Sequence, residues 1–377
     1  MAAVRKTDLG GQARLSGKHA MDTHPGSGNN MTKIVLAGLS SALFTSVAFG
    51  QSFRLSDLGS WSADAYPYDM NDQGDIVGFM KGSFPGDHAF RYSGGSMQDL
   101  STYGITDAVA RGINKDGTVV GYAASSSLRG FILTDQGVEW LDSEDREYIP
   151  EAINDAGAVV GSLRLRDSSV EHSFIYMDGQ TQTISIGGYS RPWDINESGQ
   201  FVGDSDGRPF FYDGSTVTFL GSASIHQGAA YAVNDLGQTV GYWLDSRSGN
   251  FRAFLYSDGT FSDIGSFSSN YAVARDINNA GWVIGESSYI SKGQRAFLYK
   301  DSQMLDLNGM VDDTGTGYTL TYALAVNNQN QITAMGTLPS GEWRIVLLTP
   351  NAPVPEPGVL VGLATGAILL IRRVRSN

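Results

Sequence analysis

Cysteine is absent from the 377 residues. That excludes a disulfide scaffold, a thiolate zinc site and a cysteine nucleophile. Basic residues are scarce: 26 Lys and Arg stand against 39 Asp and Glu, a formal net charge of −13. With no basic footprint to neutralise phosphates, nucleic acid is not an expected partner. Histidine is nearly missing from the body of the chain, where only His88, His172 and His226 occur. No H-E-x-x-H helix is present, and the one G-x-S-x-G string, Gly203-Asp204-Ser205-Asp206-Gly207, falls in a turn between two strand segments rather than at a strand-to-helix elbow. Proline is sparse at 11 residues, whereas glycine reaches 47, and tyrosine and phenylalanine 17 each, the composition of short strands and tight turns.

The two ends of the chain read as addresses. From Met31, Lys33 supplies a short positive region and Ile34 to Phe49 is uncharged. Ala48-Phe49-Gly50 then places small residues at both cleavage-recognition positions before Gln51. This is the pattern of a secretory signal peptide over 31–50, with 1–30 a misassigned extension or a long n-region. At the other end, Val354-Pro355-Glu356-Pro357 is stiff and extended, because each proline fixes its own φ and disfavours helix before it. Gly358 to Ile371 is an apolar run, and Arg372, Arg373 and Arg375 follow it. As a helix that run spans about 21 Å, short of a roughly 30 Å hydrocarbon core, so it crosses only with its flanking residues. The arginines stay cytoplasmic and the body lies outside. This three-part tail resembles the PEP-CTERM sorting signal. The resemblance implies a Gram-negative bacterium, an exosortase-type processing enzyme, a transient inner-membrane anchor and a destination at the cell surface or in extracellular polysaccharide. Without the ends, residues 51–350 hold 18 basic and 36 acidic residues, a net of −18.

Between the ends, one unit recurs. Apolar-Asn-x-x-Gly-x-apolar-Val-Gly appears with its asparagine at Asn71, Asn114, Asn154, Asn196, Asn234 and Asn278, and a decayed copy has Asn327. The spacings are 43, 40, 42, 38, 44 and 49 residues. A second motif follows each, as HAFRY from His88, RGFIL from Arg129, HSFIY from His172, RPFFY from Arg208 and RAFLY from Arg252 and Arg295. A third, DLG-like segment comes after a tight turn. The repeats resemble the HAF-repeat family of bacterial extracellular proteins, which implies export and a repeat fold but carries no established chemistry.

Each unit reads as four short strands, with Asn-x-x-Gly as the first turn: the asparagine side chain bonds local backbone and glycine takes positive φ. Seven copies of strands one to three follow Phe53, but only six copies of strand four. The spare, FRLSDLGS from Phe53 to Ser60, precedes the first asparagine. The expected fold is therefore all-β, a seven-bladed β-propeller over 51–350 whose N-terminal strand completes the last blade, with a C-terminal hydrophobic helix in 351–377. An open β-solenoid is the alternative, and it leaves the displaced strand without a use.

Up-and-down strands put the short one-to-two and three-to-four turns on one face and the long, dissimilar connections on the other, where binding usually sits. That long-loop face carries the candidate glycan contacts Trp61, Tyr66, Trp193, Tyr231 and Tyr322, set against the reading that most of these rings fill gaps between blades. A strongly acidic body repels polyanions, so the expected ligand is a neutral exopolysaccharide. The repeated asparagines are read as turn structure rather than as a ligand ring. His88 and His172 share their repeat position with arginines, which points to polar bonding between blades rather than a metal. Calcium is the one cation with donors on offer, at Asp204-Ser205-Asp206 and Asp312-Asp313, though neither matches a full calcium-loop spacing. No cofactor is expected. For catalysis the first suspects are Glu151, Asp194 and Asp276, as paired carboxylates near the channel. The leading reading is a non-enzymatic exported surface or matrix protein that binds glycan or protein. A propeller glycoside hydrolase or polysaccharide lyase and a ligand-free structural component of the matrix are the alternatives.

Overall fold

The computed structural model describes residues 51–59, 65–82, 86–124, 128–268, 271–312 and 317–351. The signal-peptide positions Ala48 and Gly50, the aromatic Trp61, and the sorting-signal residues Val354, Pro355, Glu356, Pro357, Arg372, Arg373 and Arg375 lie outside the described residues. So does the segment expected to form the C-terminal helix. Among the described residues no helix is long and apolar enough to cross a membrane.

Seven four-stranded antiparallel sheets account for every strand of the described residues, and together they make a seven-bladed β-propeller. Blade 1 runs outward through Ala65–Met70, Ile76–Met80, His88–Ser93 and Ser96–Asp99. The innermost strands of blades 2 to 6 are Ala108–Ile113, Arg146–Ile153, Ser190–Ile195, Gly228–Val233 and Ala272–Ile277. Blade 7 draws on both ends of the body. Thr319–Val326, Ile332–Thr337 and Trp343–Pro350 come from the C-terminal side, and Phe53–Asp57 pairs along the outer strand from Phe53 opposite Pro350 to Asp57 opposite Val346.

The repeat signature has a steric cause. In blades 1 to 6 the innermost strand carries a one-residue bulge, between Pro67 and Asp69 in blade 1 and between Ala110 and Gly112 in blade 2. The kink presses a backbone carbonyl toward the second strand, where the motif's last glycine sits. A Cβ on Gly78 would lie 2.1 Å from the Tyr66 carbonyl and 2.9 Å from the Phe90 ring, and Gly121, Gly161, Gly203, Gly241 and Gly285 meet the same carbonyl at 2.0–2.2 Å. In the decayed seventh copy the innermost strand has two irregularities instead of one, and Ala334 stands where the other copies have this glycine.

The core is divided between the blades. Seven clusters of buried side chains each join neighbouring sheets. Val77 and Ala89 of blade 1 pack on Ile113, Val119 and Phe131 of blade 2. Ala325 and Ile345 of blade 7 pack on Ala65, Ile76 and Phe90 of blade 1. The motif phenylalanines Phe90, Phe131, Phe174, Phe210, Phe254 and Phe297 are fully buried, each contributing roughly 1.5–3 kcal/mol by leaving water. No blade buries its own apolar face alone, so stability is shared through the ring.

The polar pair at the start of the HAF motif departs from the expectation of bonds between blades. His88 Nδ1 lies 2.9 Å from Asp99 Oδ2, Arg129 Nε donates to Asp142 at 2.8 Å, and Arg252 Nε donates to Asp263 at 2.5 Å. Both partners belong to the third and fourth strands of one blade, or directly follow them. These pairs pin each outer strand to its own sheet, because the antiparallel register brings the start of one strand beside the end of the next.

Candidate functional site

The two ends of the central channel are built differently. At the short-turn end, all seven repeat asparagines are 3–6% exposed. Each Oδ1 accepts backbone N–H groups of its own turn, as Asn71 does from Gln73 and Asp75. Each Nδ2 donates to the carbonyl of the next blade's asparagine at 2.9–3.3 Å: Asn71 to Asn114, Asn114 to Asn154, and onward until Asn327 donates to Asn71. The belt is closed and engages both the oxygen and the nitrogen of every one of these side chains within the ring, in line with the turn reading. The link between blades had no local signal in the sequence.

A second belt lies beside it. The N–H after each asparagine donates to the side chain after the next: Lys115 to Asp155, Asp155 to Glu197, Glu197 to Asp235, Asp235 to Asn279, Asn279 to Asn328 and Asn328 to Asp72. The link from Asp72 to Lys115 is missing because an ammonium cannot accept. The alternation of Asp, Glu and Asn at this position was the available clue. Part of the body's acidity thus serves as hydrogen-bond acceptors between blades.

Asp69, Asp194 and Asp276 line a cavity of about 400 Å³ at this end. Each accepts from the following residue's N–H and from one in the next blade: Ile113 for Asp69, Val233 for Asp194, Val326 for Asp276. Burial raises all three pKa values, Asp276 to about 7 and Asp194 well above its ordinary value, and repulsion by neighbouring aspartates adds to it for Asp194 and Asp276.

The long-loop end opens into a cup of about 430 Å³. The bulged residues of blades 1 to 6 line it, one from each: Tyr68, Arg111, Glu151, Trp193, Tyr231 and Arg275; Leu324 occupies the place in blade 7. All sit three residues before the repeat asparagine, where the sequence varies freely although the residue just before the asparagine is always apolar. That contrast was legible, but only the bulge explains why the variable position points into the channel. A neighbouring cavity of about 660 Å³ is lined by Tyr66, Lys81, Tyr271, Arg275, Glu286 and Tyr322, among others.

Charge inside the cup is organised around two carboxylates with no exposed surface. Glu151 accepts from Arg111 Nε at 2.6 Å and from Arg191 Nε at 2.8 Å, so one anion bridges two cations from adjacent blades. Glu286 accepts from Arg275 Nε at 3.0 Å and Nη2 at 2.6 Å, and from the Tyr271 hydroxyl at 3.3 Å. Burial alone would lower the Arg275 pKa, but Glu286 overrides it and the net shift is upward. Burial pushes Tyr66 up to about 12 and raises Tyr122, Tyr231 and Tyr271, so the cup's phenols stay neutral donors. The guanidinium carbons stack on the rings: Arg111 at 4.0 Å over Tyr68, Arg191 at 4.2 Å over Trp193, Arg275 at 5.2 Å over Tyr231.

Of the expected contacts, Tyr66, Trp193 and Tyr231 meet in the cup and Tyr322 lines the adjoining cavity. Trp193 is more committed than expected, since its Nε1 donates to Asp204 at 2.9 Å and its ring meets Tyr231 edge-on. Tyr148 is core, packed on Phe174. The three suspected carboxylates separate: Glu151 lines the cup, whereas Asp194 and Asp276 line the opposite end. Of the calcium donors, Asp313 lies outside the described residues, and the described aspartates are engaged within the protein. Asp204 holds Trp193, Asp206 accepts from the Gly188 and Tyr189 amides, and Asp312 accepts from Asn351. Among the described residues no three His, Asp or Glu side chains are grouped to hold a metal ion.

No family model and no curated protein matches the chain. Among solved structures, it is similar to YCF48 bound to D1 peptide, with 12% identity over 82% of this chain and 98% of that one and a TM-score of 0.50. TolB from Acinetobacter baumannii also matches, at 12% identity, 74% and 80% coverage and a TM-score of 0.37. Trypanosoma rangeli sialidase in complex with the inhibitor DANA matches at 10% identity, 87% and 59% coverage and a TM-score of 0.34. At these identities the likeness is one of fold.

Proposed function

We propose that the chain is an exported, non-enzymatic protein of the cell surface or extracellular matrix whose propeller binds a glycan in the cup. In this reading the segment 31–50 directs export, and an exosortase-type enzyme handles the tail that begins at Val354-Pro355-Glu356-Pro357. The final strand contributed by Phe53–Asp57 closes the ring that carries the cup. The observation that carries the binding claim is the lining itself: one divergent residue from each of seven blades converges on a half-buried aromatic mouth, on a scaffold otherwise uniform. A cavity of this size, with aromatic walls and a few convergent polar groups, is the usual form of a small-ligand site. Binding without cleavage is supported by the state of the carboxylates. Glu151 and Glu286 are enclosed by arginines, and Asp194 and Asp276 are held by backbone amides at the far end.

The test is retention of matrix polysaccharide on the immobilised protein. Tyr66→Ala and Tyr322→Ala should each weaken retention about tenfold while the far-UV spectrum and melting midpoint hold, and no reducing ends should appear in the polysaccharide. Steady release of reducing ends would replace this reading with a glycan-cleaving one. Mass spectrometry of both termini of the secreted protein tests the addresses: a start at Gln51 and a tail cut near Pro357 are expected, and an intact tail in mature cells would leave a plain anchor.

A further inference from the structure

The rings best placed for stacking are already covered. Arg111 sits over Tyr68, Arg191 and Arg111 both lie over Trp193, and Arg275 lies over Tyr231. A neutral sugar would have to displace a guanidinium to reach those faces. The cup's charge runs opposite to that of the body. Across the two adjoining cavities, the four cations Arg111, Arg191, Arg275 and Lys81 face the two carboxylates Glu151 and Glu286. Both carboxylates have no exposed side-chain surface, whereas the side chains of Arg111, Arg191 and Arg275 keep 11%, 24% and 27%. The ligand-accessible charge is therefore all positive. Glu151 is the one lining carboxylate in contact with both Arg111 and Arg191, and Glu171 and Asp204 act on Arg191 from outside the cup lining, so the two half-buried guanidiniums share a single contacting anion. Such an imbalance is costly inside a protein unless a further negative group offsets it.

We propose that the cup recognises a carboxylate-bearing sugar, a hexuronate unit of an acidic polysaccharide, through Arg111, Arg191 and Arg275. The inference rests on the glycan-binding reading above and refines it, replacing the neutral polymer that net charge alone suggested. Arg111 and Arg275 spend Nε and Nη2 on their glutamates. The remaining Nη1 edge is a charge-assisted donor toward a carboxylate, stronger than a neutral hydrogen bond. The phenols of Tyr66 and Tyr122 line the same space and supply donors for ring hydroxyls. The body's charge of −18 does not forbid this, because at physiological salt exposed charges beyond about 8 Å are screened while a group inside the cup feels the adjacent arginines.

The experiment compares galacturonate-, glucuronate- and mannuronate-containing oligomers with the same oligomers after reduction of their carboxyls, titrated against the full chain. At least one acidic oligomer should bind, and its reduced counterpart at least tenfold more weakly. Arg275→Gln should cost about tenfold for the acidic oligomer and should not weaken the reduced one, since it uncovers the Tyr231 face. Arg275→Lys should recover part of the loss, which a purely structural role for the Arg275–Glu286 pair would not predict. If the reduced oligomers bind as well as the acidic ones, the charge assignment falls and the glycan-binding reading stands. If neither set binds, both fall.

Discussion

The two ends of one channel obey opposite rules. At the short-turn end the seven blades repeat the same asparagine, bonds and burial. At the long-loop end the position three residues earlier carries five residue types in seven blades. Each repeat asparagine satisfies its own turn and bonds the next, so a substitution there breaks two blades at once. The bulged residues line the cup and stand outside the asparagine belt, so the belt places no demand on their identity. Repetition marks where the ring is held; divergence marks where the proposed ligand would sit.

The largest effect should come from removing what completes the ring outside both ends. Deleting residues 51–57 strips the outer strand from blade 7 and removes Phe53, which is fully buried against Leu307, Leu320 and Val346. Losing that ring alone costs about 3–5 kcal/mol, and the exposed strand edge adds association. Thermal unfolding and light scattering check this. An unchanged midpoint in a monomeric variant would show that the seventh blade does not need its fourth strand.

Next is the belt. Asn196→Ala removes the Ser198 and Gln200 contacts and the bond to the Asn234 carbonyl in one buried place. At about 1 kcal/mol for each net bond, the expected loss is about 3 kcal/mol. Tyr103→Ala on the long-loop side, at a ring 46% exposed, should change stability by less than about 0.5 kcal/mol. Denaturant titrations of the pair measure the contrast directly, and equal losses would erase it.

The smallest effect concerns pH. The folded pKa of Asp276, about 7, lies above its ordinary value, so the native state holds this proton more tightly than the unfolded chain. Its contribution is therefore most favourable at acid pH and is lost as pH rises from about 4 through 7. Asp69 and Asp194 share the cavity and the sign. Asp276→Asn keeps an oxygen acceptor for Val326 and removes the titration. Melting midpoints between pH 5 and 8 should fall less steeply for the variant than for the parent, and parallel slopes would place the sensitivity elsewhere.

Much of the architecture was readable because it is periodic. Asn-x-x-Gly fixes a turn by local chemistry, and alternating apolar runs of four to six residues fix strands, so seven copies gave seven blades. The decayed seventh copy keeps its turn because Asn330, with φ +58, stands where the other copies have glycine, and asparagine tolerates that conformation. The site was legible only in part. Tyr66, Trp193, Tyr231 and Tyr322 could be placed on the long-loop face, since strand alternation decides faces. That Arg111, Arg191 and Arg275 share the space could not be, because those residues are 80 and 84 positions apart in steps that only a closed ring brings together.

The sequence by itself determined the turns, the strand count, the displaced strand and the acidic charge of the body, all local or additive properties. Tertiary structure alone decided the sign of the charge in the cup. Net charge sums over the surface, whereas the field in a cavity depends on which few side chains face it and which are turned into the protein. In this chain the bulges bring Arg111, Glu151 and Arg275 to the cup, Arg191 joins them from the start of its strand, and Glu151 and Glu286 keep no exposed side-chain surface beside their arginines.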